Sequence, residues 1–201
     1  GRRPTVFCGA DLGEGTPWLF GGEDTLIYEA CEYRDSFLHF FPTVSVFLNL
    51  ELDHTDYFPD LDALTASFLA AADRSPVSVL NADDRNLRTV AERTKSRPIL
   101  FGEGEDFDFG YRVTDISHGY VTFRAYEGGE ALGDVTLGTP GRFQAVNATA
   151  AIAAARTVGI DFSYLRAALH RDTGIPRRLE RLGTFRGRPV YYDYAHHPTE
   201  I

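Results

Sequence analysis

Three stretches carry residue types that could do chemistry. In "YEACEY", Glu29 falls where the apolar run "TLIY" ends, and in "ELDHTDYF", His54 closes the next apolar run between Asp53 and Asp56. Strand ends are where open parallel sheets carry their functional groups. A carboxylate and an imidazole on neighbouring strand ends could share a divalent metal, since carboxylate oxygen and imidazole nitrogen both ligate such ions. The same residues serve equally well as caps and surface hydrogen-bonding groups. Cys31 reads as a small buried residue rather than a ligand or nucleophile.

The second stretch is "TPGRFQAVNATAAIAAA", where Asn147 stands among alanines in the first turns of a helix. Its amide offers donors and acceptors that suit the edge of an adenine base, although a helix-start hydrogen bond explains it from spacing alone. The third stretch, "DYAHHPTEI", holds Asp193, Tyr194, His196 and His197. Neighbouring histidines on an extended segment point to opposite faces, so His196 and His197 are expected to have different roles.

The elements that must position these residues alternate. "TVFCGA" (5–10) and "TLIYEAC" (25–31) read as short buried strands, and "TVSVFLNLELDH" (43–54) as a longer one. Residues 60–74 have helical apolar spacing. "VSVLNADD" (77–84) is a strand entering a helix that Asp83 or Asp84 caps, and "RPILFGE" (97–103) is another strand. This alternation predicts a mostly parallel sheet flanked by helices. Beyond residue 105, His118-Gly119 and Gly128-Gly129 mark antiparallel hairpins. Residues 143–159 read as a small-residue helix ending at Gly159, followed by a shorter helix and a hairpin (177–194) turning at Arg186-Gly187.

Composition excludes several classes. The 201 residues are 43% hydrophobic and 13% aromatic, enough for a packed core. A net charge of −9, with Lys95 the single lysine, argues against a nucleic-acid partner. No apolar run reaches membrane-span length. Two cysteines, Cys8 and Cys31, suit a reducing, cytoplasmic compartment. The chain opens on Gly1 and stops soon after "DYAHH", so it reads as a piece of a longer protein; its oligomeric state is open.

The blocks "YEACEYRDSFLHFFPTVSVFLNLELDHTDYF", "VLNADD", "GRFQAVNATAAIAAA", "GIPRRLERLG" and "DYAHHPTEI", in this order, resemble the Mur ligases of peptidoglycan synthesis. The forms "EACEYRDSFLHF" and "DYAHHPTE" are most similar to the alanine-adding branch. The resemblance implies an α/β, P-loop NTPase-like central ATPase domain over 1–173 with an antiparallel β addition. Residues 174–201 would then begin a Rossmann-like amino-acid-binding domain. The family's G-x-x-G-K-[ST] phosphate loop is not in this sequence, which implies a core without its phosphate cradle and inactive alone.

The resemblance further implies ATP and Mg2+ as cofactors, UDP-N-acetylmuramate and L-alanine as substrates, and an acyl phosphate between them. By its motifs, Glu29 and His54 lie at the metals, Asn147 reads adenine, Arg178 lies near the phosphates and Asp193 holds the ribose. Tyr194 and His196 line the alanine pocket. Phe143-Gln144 stands where the family carries a His-Asn pair. The lysine that several relatives carbamylate is missing from "ALTASFLAAADR", as is general in the alanine-adding branch. Two alternatives remain: a murein-peptide recycling ligase of the same family, and a loop-less, non-catalytic binding module.

Overall fold

The computed structural model describes residues 3–12 and 15–195. The chain divides into two compact units, Cys31–Asp172 and Gly1–Ala30 with Thr173–Ile201.

The Cys31–Asp172 unit is built on one six-stranded sheet. In chain order and in space its strands are β4 (Val44–Phe47), β5 (Val77–Asn81), β6 (Arg97–Glu103), β7 (Phe109–Ser117), β8 (Tyr120–Glu127) and β9 (Glu130–Pro140). Strands β4 to β7 pair in parallel, and β8 and β9 add antiparallel hairpins at the two expected turns. Crossovers through α1 (Leu61–Ala72) and α2 (Arg85–Arg93) join β4 to β5 and β5 to β6. Asp60 caps α1 through the Ala63 amide, and Asp84 caps α2 through the Asn86 and Leu87 amides. The β6–β7 link is unusual, because parallel neighbours ordinarily need a crossover of about a dozen residues. Here residues 104–108 suffice, since Gly110 lies directly against the Gly104 carbonyl, where no Cβ would fit.

Alternation along the strands serves two cores. Val79, Ile99, Phe101, Phe109 and Phe123 pack with α3 (Gln144–Thr157), whereas Phe47 and Leu80 pack with Leu64, Leu87 and Val90 from α1 and α2. Buried Ala145, Ala148 and Ala153 give α3 a smooth face that approaches the sheet closely. Helix α3 ends as its sequence requires. Gly159 takes φ 83°, its N–H bonds the Arg156 carbonyl and the Ile160 N–H bonds the Ala155 carbonyl. Helix α4 (Phe162–Arg171), capped by Asp161, packs on β9.

The strand expected over 43–54 is confined to Val44–Phe47. Its partner β5 turns into α2 after Asn81, so the ladder has nowhere to continue. Side chains of that turn take over the backbone instead. Asn81 Nδ2 donates to the Leu48 carbonyl (2.9 Å), Asn86 Nδ2 donates to the Leu50 carbonyl (2.7 Å), and Asp84 Oδ2 accepts the Leu50 N–H (2.9 Å). Cys31 is exposed rather than buried, because it sits in an irregular segment ahead of the 3-10 turn Tyr33–His39 and not within a strand.

In the other unit, β1 (Thr5–Phe7) pairs antiparallel with β2 (Trp18–Leu19) and parallel with β3 (Leu26–Tyr28). These strands are shorter than expected and not buried, with Phe7, Leu26 and Ile27 more than half exposed. Among the described residues of this unit there is no helix to cover the sheet. Strands β10 (Glu180–Phe185) and β11 (Arg188–Tyr192) form the expected hairpin. Arg186 (φ 50°) and Gly187 (φ 79°) supply the left-handed pair of a two-residue turn.

Candidate functional site

A polar arrangement in the Cys31–Asp172 unit joins Glu32 and the Tyr33–His39 turn to the segment after β4. Three side-chain pairs cross between them. His54 Nε2 lies 3.1 Å from Glu32 Oε1, the Tyr33 hydroxyl donates to Asp56 Oδ2 (2.8 Å), and the Tyr57 hydroxyl donates to Asp35 Oδ2 (2.6 Å). Asp35 also accepts from the Ser67 hydroxyl on α1. Arg34 (φ 53°) and Asp35 (φ 57°) adopt left-handed backbone, which gives the turn the curvature that aims both acids at the facing segment.

His54 is held through both its backbone and its ring. Its backbone is left-handed (φ 52°), its N–H donates to Asp53 Oδ1 (2.6 Å), and its carbonyl accepts the Tyr57 and Phe58 amides. The Tyr33 ring lies 4.8 Å from the imidazole, tilted by 43°. His54 and Glu32 side chains are each about one-third exposed, so the pair is reachable from solvent. The Asp35 carboxylate raises the Tyr57 phenol above its ordinary pKa by accepting a hydrogen bond from it, and desolvation adds to the effect. Glu32 and Tyr33 were not singled out from sequence; they are 22 and 21 residues from His54, and only the fold brings them to it.

This patch is rich in carboxylate oxygen around one imidazole, a donor set that suits a hard divalent cation. Among the described residues no three His, Cys, Asp or Glu side chains converge as a metal-holding group. A cation such as Mg2+ would therefore take its remaining ligands from water and phosphate oxygens, its usual habit.

The other expected residues fall in separate places. Asn147 is exposed in the first turn of α3, its Nδ2 3.3 Å from Gln144 Oε1, beside half-exposed Phe143. Arg142, just ahead of α3, pairs with Glu103 at the end of β6 (2.9 Å). The Glu103 amide donates to Asp83 (2.8 Å). These two acids stand near Tyr111, whose pKa is pushed up to about 12 by burial first and by the Asp83 and Glu103 charges next.

In the other unit, Glu29 follows β3 and is exposed, with Oε2 accepting the Gly9 amide at 2.6 Å. Arg178, Asp193 and Tyr194 do come together at the base of the β10–β11 hairpin. Asp193 accepts the Leu179 and Ala195 amides (2.8 and 2.7 Å), and the Arg178 guanidinium lies 5.9 Å from the Tyr194 ring centre. The Tyr194 amide donates to the Arg177 carbonyl. His196 lies outside the described residues, as does His197.

Comparison with known proteins matches this chain to a family model. Residues 21–155 match the Mur ligase middle domain. The UDP-N-acetylmuramate–L-alanine ligase of Caldicellulosiruptor bescii is 39% identical over 99% of this chain, and that of Desulfosudis oleivorans 38% identical over 100%. The chain spans 45% of either relative's length. Among solved structures, the UDP-N-acetylmuramate-alanine ligase of Thermotoga maritima superposes with a TM-score of 0.84 at 23% identity, over 99% of this chain and 46% of that one. A UDP-N-acetylmuramate:L-alanyl-γ-D-glutamyl-meso-diaminopimelate ligase from Neisseria meningitides superposes with a TM-score of 0.73 at 26% identity, over 88% and 60%. The fold expected from the sequence is thus the fold observed, and the chain belongs to the Mur ligase family, with residues 21–155 forming its middle domain.

Proposed function

We propose that this chain is the catalytic core of an ATP-dependent ligase that joins L-alanine to UDP-N-acetylmuramate in peptidoglycan synthesis. The observation that carries the reading is identity of 39% across 99% of the chain to an alanine-adding ligase. The muramate carboxylate would take the γ-phosphoryl group of ATP, giving an acyl phosphate and ADP. The alanine amine would then attack the acyl carbon, forming the amide, releasing phosphate and losing a proton. Bound Mg2+ would offset the charge on the phosphate oxygens in flight.

The chain's own residues take distinct parts. Glu29 and His54 would hold the metal side of the phosphates, and Asn147 would read the adenine edge. Arg178 would face the phosphates, Asp193 the ribose, and Tyr194 and His196 the alanine. Residues 1–173 would act as the central domain and 174–201 as the start of the amino-acid-binding domain. The locale would be the cytoplasm, where ATP and the nucleotide sugar are available.

The likeness to the Neisseria tripeptide ligase supports a second reading, in which a ready-made peptide is the amine substrate. A coupled assay of ADP release by the full-length protein, given UDP-N-acetylmuramate and either L-alanine or L-alanyl-γ-D-glutamyl-meso-diaminopimelate, separates the two. Turnover with alanine supports the first. Turnover with the tripeptide alone transfers the assignment to the second.

A further inference from the structure

We propose that Glu32 fixes the tautomer of His54, so that Nδ1 and not Nε2 is the ring atom His54 offers to a cation. The proposal rests on the reading of His54 as a metal-side residue and adds to it the group that sets the imidazole.

The argument starts from the 3.1 Å contact between His54 Nε2 and Glu32 Oε1. An ionised carboxylate has only lone pairs to give, so the shared hydrogen sits on the imidazole nitrogen. A neutral imidazole has one N–H, and placing it on Nε2 leaves the lone pair on Nδ1. Among the described residues no hydrogen bond is made by Nδ1, whereas Nε2 is committed. A histidine that ligates a metal through one nitrogen commonly donates the other N–H to a carboxylate, which orients the ring and raises its basicity. Glu32 stands where such a carboxylate would.

The surroundings keep the ring in that pose. The Tyr33 ring covers the imidazole, and its hydroxyl is tied to Asp56. The left-handed backbone of His54 is fastened through both its N–H and its carbonyl. Turning the imidazole so that Nε2 met a cation would break the Glu32 contact and slide the ring across Tyr33. Glu32 is therefore a positioning residue acting through His54, and Tyr33 with Asp56 supports it.

The test uses the full-length protein labelled with 15N-histidine, with the His54 signals assigned by their loss in His54→Gln. Long-range 1H–15N spectra read the tautomer directly, and Mn2+, a paramagnetic stand-in for Mg2+, reports the nearer nitrogen by broadening. The expected result is an Nε2–H tautomer with broadening strongest at Nδ1. In Glu32→Gln, whose amide both donates and accepts, the tautomers should mix and Mn2+ affinity should fall about tenfold, the lower end for loss of such a partner. Glu32→Asp should restore part of the preference. A lone pair on Nε2 in the unaltered protein, or Mn2+ broadening centred on Nε2, overturns the proposal. An intact Nε2–H tautomer with neither nitrogen broadened overturns instead the metal reading of His54 on which the proposal depends.

Discussion

Asp84 holds Leu50: one carboxylate oxygen caps α2 through the Asn86 and Leu87 amides, while the other accepts the Leu50 N–H at 2.9 Å. One side chain thus starts a helix and holds the segment that follows β4. Leu50 is 1% exposed, so its amide has no water to turn to. Asp84→Ala should cost about 1 kcal/mol for the cap and about 1–3 kcal/mol for the stranded amide. Urea unfolding should show a loss of about 2–4 kcal/mol. Asp83→Ala, which removes an exposed acceptor of the Glu103 amide, should cost less. Equal losses for the two variants would refute the double role.

Tyr111 should contribute to the alkaline limit of the same unit. Its folded pKa is pushed up to about 12 from 10.0, so the folded state keeps a proton that the unfolded state has already released. The stabilisation is complete below pH 10 and is lost as pH rises toward 12. Denaturation midpoints of the unaltered protein should fall across that window, and Tyr111→Phe should flatten the fall while changing little at pH 7. An unchanged slope in Tyr111→Phe would assign the loss to other groups.

Asn147 lies on the exposed face at the start of α3, next to Gln144. If Asn147 reads adenine, Asn147→Ala in the full-length protein should raise the ATP KM about two- to tenfold, the worth of one net hydrogen bond. KM for L-alanine should stay constant. A matching rise in both would point to a general distortion of the helix start.

A polypeptide of these 201 residues contains adenine-side and ribose-side candidates but no G-x-x-G-K-[ST] sequence. Backbone N–H groups and a lysine from such a loop normally carry the phosphates. Calorimetry with ATP and Mg2+ should therefore detect no micromolar binding, and phosphate release should match the buffer blank.

If the full-length protein is the alanine-adding ligase proposed above, His196→Ala should lower its alanine-dependent turnover about ten- to a thousandfold, the range for lost positioning or proton handling. His197→Ala should act chiefly on the melting temperature. Unchanged turnover and alanine KM in His196→Ala would remove that residue from the alanine pocket.

Local chemistry was legible in the sequence wherever one short segment decides the outcome. Asp84, one of two candidate acids, capped α2, Gly159 closed α3, and His118-Gly119, Gly128-Gly129 and Arg186-Gly187 turned hairpins. Outcomes set by a distant segment were not legible. The apolar run 48–54 has strand composition, yet Asn81, Asp84 and Asn86 take its backbone groups from more than 30 residues away. Glu29 drew notice because it ends an apolar run, whereas the acid that meets His54 is Glu32, three residues later. Only the left-handed pair Arg34-Asp35, invisible in composition, bends that turn toward His54.

The short link between β6 and β7 bears on how the sheet is assembled in time. Phe101 pairs with Phe109 across only eight positions, and β7, β8 and β9 follow by tight hairpins. Joining β5 to β6 spans 20 positions from Val77 to Arg97, and joining β4 to β5 spans 33 from Val44 to Val77. Going from eight to 33 positions adds about 1.3 kcal/mol of closure entropy, and the longer joins also wait on their helices. Folding should run from the β6–β9 side toward β4, so the strand that delivers His54 docks last. Pulse-labelled hydrogen exchange should protect amides in 109–137 before those in 44–47, and the reverse order would contradict it. The segment that places the imidazole is then the first to loosen when the unit opens, and the pairing of His54 with Glu32 is lost before the core that carries it.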